Sequence, residues 1–130
     1  MDTSVAIHFA QADVLDQLTG FDDEALDTLD FGVIGFGADT VVRRYNALES
    51  TMAGLSRERV IGHALFTVVA PCMNNFMVAH RFEEAAAGHA ELDVTVDYVL
   101  TLRMRPVKVQ LRLLARPGHD HRFVLVNRRP

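Results

Sequence analysis

From Leu92 to Met104, every second residue is apolar: Leu92, Val94, Val96, Tyr98, Leu100, Leu102 and Met104. The residues between them are polar or charged, apart from Val99. A period of two marks a strand with one face on a core. The pattern restarts after Pro106, where Val107, Val109, Leu111 and Leu113 alternate with Lys108, Gln110 and Arg112. The turn signal "PGHD" (117–120) and a last apolar run, "RFVLVN" (122–127), complete a three-strand meander. Upstream, "FGVIGF" (31–36), the turn "GADT" (37–40) and "VVRRY" (41–45) read as a hairpin.

Helical spacing fills the remainder. "DVLDQL" (13–18) and "DDEALDTL" (22–29) predict two short helices separated by Gly20 and Phe21, with Asp22 or Asp23 capping the second. "NALES", "SRERVI" and "ALFTVVA" are each a turn or two of helix in a broken stretch that suits the wall of a pocket. "NNFMVAHRFEEAAAG" (74–88) predicts a longer helix, capped by an Asn and ended by Gly88, with Phe76, Ala79, Phe82 and Ala86 on one side. Hairpin, helical middle, helix and meander together predict an α+β domain. It has an antiparallel sheet of about five strands with helices on one face.

Charge adds an arrangement. Residues 1–30 carry eight acids and no Lys or Arg, whereas residues 101–130 carry eight Lys or Arg against Asp120 alone. The acidic N-terminal helices are the natural cover for the second, basic face of the sheet, though the same counts allow two solvated faces of opposite sign. The acidic head would repel phosphates, which argues against nucleic acid. At 130 residues the chain is long enough for one domain with a real core. The net charge of −4 gives no reason to expect a membrane surface, and no apolar run approaches the ~20 residues of a span. One cysteine and a start without signal-peptide character predict a cytoplasmic protein, read as a monomer.

Few residues have the makings of chemistry. If "YNALE" begins a helix, Tyr45 and Glu49 share a face, with apolar Ala47, Leu48, Met52, Ala53 and Leu55 around them. A carboxyl in a dry place resists ionisation and can donate a hydrogen bond, as a phenol can. Two such donors would hold an oxyanion, though spacing alone favours a stacked Tyr and a solvated Glu. Cys72, in "VVAPCMNN", falls at the expected start of the 74–88 helix, where backbone N–H groups would favour a thiolate. A lone Cys is usually a small packing residue, and a nucleophile would need a positioned His, for which His63 and His80 are candidates that the spacing does not force. No metal-ligand spacing is present, and the glycines of "GVIGFG" lie inside a hairpin, away from any phosphate-binding turn.

The residues "LDFGVIGF", "YNALE", "RERVIGHALFTVVAPC" and "RMRPVKVQL" are similar to those of the photoactive yellow protein family, blue-light receptors with a PAS fold. The resemblance spans nearly the whole chain. Its most specific element is Tyr45, Glu49 and Cys72 in the family's spacing, with Met104 and Pro106 further on. It implies one PAS domain over 1–130, with a cap at 1–30 and a core at 31–130, and no enzymatic activity. It implies p-coumaric acid (4-hydroxycinnamic acid) carried as a thioester on Cys72, after Ala70 and Pro71 of "APC". Tyr45 and a protonated Glu49 would hydrogen-bond the pigment's phenolate, and the Cys72 backbone N–H its carbonyl. Ala53, Leu55, Leu100 and Met104 would line the site, and Met104 would speed the return to darkness. The implied cycle is trans–cis isomerisation, proton transfer from Glu49, and partial unfolding that frees the N-terminal helices.

Three positions depart from the family pattern. Ala53 replaces a threonine that usually supports the tyrosine hydroxyl, Leu55 replaces an arginine lid, and Leu100 replaces an aromatic wall. These changes bear on the absorption maximum and recovery rate. The chain carries no kinase or cyclase, so the signal is expected to leave by contact with another, unspecified protein. The alternatives are a PAS-type interaction or ligand-binding module without pigment, and a thiol enzyme.

Overall fold

The computed structural model describes residues 7–101 and 106–128. Ten regular elements follow in order: α1 (Val14–Thr19), α2 (Asp23–Leu26), β1 (Gly32–Phe36), β2 (Val42–Tyr45), α3 (Ala47–Ala53), α4 (Arg57–Val60), α5 (Ala79–Ala87), β3 (Leu92–Leu100), β4 (Val107–Ala115) and β5 (Arg122–Asn127). A π-helical turn at Leu65–Val69 and a 3-10 turn at Pro71–Met73 lie between α4 and α5. All five strands join one sheet in the order β2-β1-β5-β4-β3, and every pairing is antiparallel. Leu102 and Met104, placed by periodicity on the third long strand, lie outside the described residues.

Strand alternation sorts side chains onto two faces. Ile34, Phe36, Val109, Leu111, Leu113, Val124 and Val126 point to a core that the middle of the chain covers, where Val60, Leu65, Phe66, Met73, Val78 and Phe82 meet them. Phe36 packs edge-on against Phe66 and Phe82. The opposite face presents Val33, Leu114, Phe123 and Leu125 to Ile7, Val14, Leu15, Leu18, Leu26, Leu29 and Phe31. The N-terminal segment does cover the second face, as expected, but the seam is mostly apolar. Ion pairs ring it: Arg116 with Asp16 at 2.7 Å and Arg44 with Asp23 at 3.1 Å. Buried Arg112 reaches across it, donating to Asp93 from Nε and Nη2 and to the carbonyls of Phe9 and Gln11 from Nη1. A count of charges could not reveal the apolar seam, because β5 is buried on both faces and shows no alternation.

The helix expected over 74–88 begins only at Ala79. The Asn75 side chain accepts the N–H groups of Met77 and Val78, which forms a separate turn ahead of the helix, and α5 has no side-chain cap of its own. Phe76 consequently lies outside the helix and is 75% exposed. On α5 the core-facing residues are Ala79, Phe82 and Ala85, so the expected Ala86 is replaced by its neighbour.

Candidate functional site

The site forms where β2 turns into α3. Tyr45 is the last residue of β2, and Asn46 is the N-cap of α3. Glu49 lies in that helix's first turn, so Tyr45 and Glu49 do not share a helix face. The chain reversal brings them together instead. Tyr45 is 3% exposed and Glu49 is fully buried. The dryness comes from the sheet, since Met52, expected beside them, is half exposed.

Asn46 is the structural key to this corner. Its Oδ1 accepts the Val33 N–H at 3.0 Å and the Glu49 N–H at 3.2 Å. Its Nδ2 donates to the carbonyls of Leu26 and Phe31, both at 3.0 Å. One buried amide therefore joins α2, β1 and the first turn of α3. Asp27 adds a second tie, accepting the Ala47 N–H and an Arg57 N–H, both at 2.7 Å. Arg57 in turn donates to the Tyr45 carbonyl at 2.9 Å. Gly54, at φ 72°, ends α3 in the left-handed conformation that glycine adopts without strain.

Glu49 has a partner that sequence reasoning missed. Arg128, just past β5, donates from Nη1 to Oε1 at 2.7 Å and from Nη2 to Oε2 at 3.1 Å. The pair spans 79 residues of sequence. Arg128 was counted among the bases of the second face, but it continues the Val124–Val126 side of β5 and so enters the first core. That parity was the one available signal. Burial pushes the Glu49 carboxyl above the usual carboxylate range, while the hydrogen bonds and charge of Arg128 oppose the shift. Burial likewise raises the Tyr45 phenol, with the Glu49 carboxylate adding to the effect and Arg128 opposing it. Gly32 makes room for the carboxyl: a Cβ there would lie 2.0 Å from Glu49 Oε1.

Cys72 is a free, partly buried thiol in the 3-10 turn, packed against the first core. It is therefore in a separate turn ahead of α5, and not at the start of that helix as the sequence predicts. The turn is clasped from outside. The Tyr98 hydroxyl and the Asn75 side chain both donate to the Cys72 carbonyl, and Asn75 also bonds the Tyr98 oxygen at 2.6 Å. Ala70 and Leu100 are buried in the first core, Leu55 packs at its edge, Ala53 is buried on α3 and Pro71 is exposed. Met104 lies outside the described residues. Among the described residues, no hydrogen bond joins His63 or His80 to Cys72. His80 instead sits beside Glu83 and Glu84 on α5.

Comparison with known proteins bears on the family and the fold. The PAS fold family model matches residues 26–129. Photoactive yellow protein from Halochromatium salexigens is 32% identical over 122 residues, covering 94% of this chain and 97% of that protein. The chain belongs to the photoactive yellow protein family. The counterpart from Rhodothalassium salexigens is 30% identical over the same shares of both chains. The crystal structure of the photoactive yellow protein domain of the sensor histidine kinase Ppr from Rhodospirillum centenum superposes with a TM-score of 0.79. It is 34% identical and covers 86% of this chain and 97% of that domain. Among the described residues of this family member, no helix is long and apolar enough to cross a membrane.

Proposed function

We propose that this chain is a blue-light receptor that carries p-coumaric acid as a thioester on Cys72. The observation that carries the reading is a phenol and a carboxyl, Tyr45 and Glu49, buried at one corner of a core that also borders the chain's single thiol. The donor set fits such a pigment. Cys72 supplies the attachment atom, Ala70 and Leu100 supply apolar wall, and the absence of a side chain at Gly32 lets the Glu49 carboxyl sit against the sheet. When bound, the pigment supplies visible absorption, a double bond that light isomerises, and a phenolate oxygen that accepts hydrogen bonds and a proton.

The chain's own residues do the rest. Cys72 holds the acyl group, and Tyr98 and Asn75 fix the turn that carries it. Tyr45 and neutral Glu49 donate hydrogen bonds to the phenolate. The core around them excludes water, which makes each charge–dipole contact count for more. In the light Glu49 gives up its proton, leaving a charge in a dry place. A buried charge is tolerated only where it gains a partner or the fold loosens around it. Asn46 and Asp27 tie α2 to the chain that carries Glu49, so loosening there releases the N-terminal segment as the signal.

The test is to incubate the apoprotein with activated p-coumaric acid. The expected result is a yellow adduct of one p-coumaroyl group per chain that bleaches reversibly in blue light. Cys72→Ser should abolish it. Glu49→Gln should move the band to longer wavelength, because a weaker donor leaves more charge on the phenolate. A wild-type chain whose mass is unchanged after the reaction overturns the reading.

A further inference from the structure

The Glu49–Arg128 pair joins two facts that conflict in a simple donor role. Both nitrogens of the guanidinium meet both oxygens of the carboxyl, the fork geometry by which arginine recognises an ionised carboxylate. Yet the reading above needs Glu49 protonated and donating to the pigment in darkness. The conflict resolves if the two arrangements belong to two states of one cycle.

We propose that Arg128 is the internal counter-ion of Glu49: it is set aside while Glu49 is protonated and bonded to the pigment, and it clasps the carboxylate once the proton has gone. This rests on the photoreceptor reading. In the forward step the Oε–H bond of Glu49 breaks and an O–H bond forms on the pigment's phenolate oxygen, and the return step reverses both. Arg128 keeps its proton throughout, so the total charge of the site is the same before and after. What changes is where the negative charge lies, and Arg128 gives it a place at Glu49.

The surroundings fit a partner that moves. The Arg128 side chain is 12% exposed and Glu49 only 1%. Arg128 also lines a cavity of about 380 Å³ with His8, Phe9, Asp30 and Asn127. The guanidinium thus has free volume near it, bordered in part by the N-terminal segment. Among the described residues, Arg128 bonds Glu49 and opposes its shift, Tyr45 from β2 feels the Glu49 charge, and His8 and Asp30 line the same cavity as Arg128. A clasped carboxylate is a weaker base, so Glu49 recovers its proton slowly and the light-adapted state lasts longer.

Two readouts test this. In the apoprotein, isotope-edited infrared spectra can follow the Glu49 carboxyl, assigned by its loss in Glu49→Gln. Arg128→Gln should raise its titration midpoint by about 1–3 pH units, the effect of removing an opposite charge at contact. Arg128→Lys, which keeps the charge without the fork, should raise it less and serves if the Gln variant folds poorly. In the pigment-loaded protein Arg128→Gln should speed dark recovery about tenfold or more, equal to about 1.4 kcal/mol of barrier. An unmoved midpoint overturns the pairing. A moved midpoint with unchanged recovery overturns the counter-ion role and confines the pair to the apoprotein. Failure of the parent reading is distinguishable, because the wild-type chain then forms no yellow adduct at all.

Discussion

Replacing Asn46 with Ala removes four buried hydrogen bonds at once, and their fates differ. The Leu26 carbonyl still accepts the Leu29 N–H, so it is not stranded. The N–H groups of Val33 and Glu49 lose the oxygen that satisfies them. Each buried donor left without a partner costs about 1–3 kcal/mol, so the variant should lose about 2–6 kcal/mol. That is a large part of the ~5–15 kcal/mol by which a domain is usually stable. Urea unfolding of the apoprotein followed by circular dichroism measures it directly. With a slope of about 2 kcal/mol/M, the midpoint should fall by about 2 M. Hydrogen exchange adds location, since the Val33 and Glu49 amides should exchange faster than those of β4. Asn46→Asp sharpens the test: it keeps the acceptor but sets a carboxylate against the Leu26 and Phe31 carbonyls. That carboxyl should have a raised pKa, so the Asp variant should regain stability as the pH falls. An Ala variant that loses less than about 1 kcal/mol, or an Asp variant indifferent to acid, would refute the reasoning.

Further predictions concern the seam and the site. Leu18→Ala, at a fully buried position on the sheet-facing side of α1, should cost about 2–5 kcal/mol. Arg116→Gln, on the exposed rim, should leave the urea midpoint nearly unchanged, and equal losses would show that charge holds the segment after all. Gly32→Ala should destabilise by about 1–3 kcal/mol and displace the Glu49 carboxyl, visible as a changed infrared band; wild-type stability would show that the close approach is relieved cheaply. Because burial raises the Glu49 pKa, its neutral form favours folding. That contribution is full below the ordinary carboxyl range and is lost as the pH rises through the raised value. As the pH rises from the ordinary carboxyl range through the raised value, wild type should therefore lose stability relative to Glu49→Gln, and parallel curves would contradict it.

Much of the fold could be read in the chain because most strands show one face to a core. The alternation from Leu92 to Leu100 matches β3, in which Leu92, Val94, Val96 and Tyr98 are more buried than their neighbours. Where that asymmetry vanishes, the reading weakens. Phe123, Val124, Leu125 and Val126 are all buried, and nothing in such a run says which residues face the cap. The start of α5 was misplaced because Asn75 satisfies N–H groups locally and outcompetes the helix for residues 76–78. Tyr45 and Glu49 were found as a pair, but on the assumption of a shared helix; the strand end and helix cap that join them depend on Asn46, which meets Leu26, Phe31 and Val33 only in three dimensions. Arg128 was harder still, since its partner is far away in sequence and its side of the sheet follows from a register fixed elsewhere.

These misses have a common physical origin, and it bears on how the site works. Apart from the start of α5 and the apolar run of β5, each concerns a polar group whose cost of burial is met by a partner distant in the chain. Such contacts hold only while several elements keep their places together. Asn46 needs α2, β1 and α3 in position, Arg112 needs the N-terminal segment against β4, and Arg128 needs β5 beside α3. The apolar seam, by contrast, tolerates small displacements. A change of charge at Glu49 would therefore act first on the polar ties, which are few and sensitive to geometry, before it disturbs the seam. Two of these ties, at Asn46 and Asp27, anchor the N-terminal segment within a few residues of Glu49. The segment most exposed to a change in that carboxyl is thus the one that covers the opposite face of the sheet, though no side chain of its own need enter the pocket.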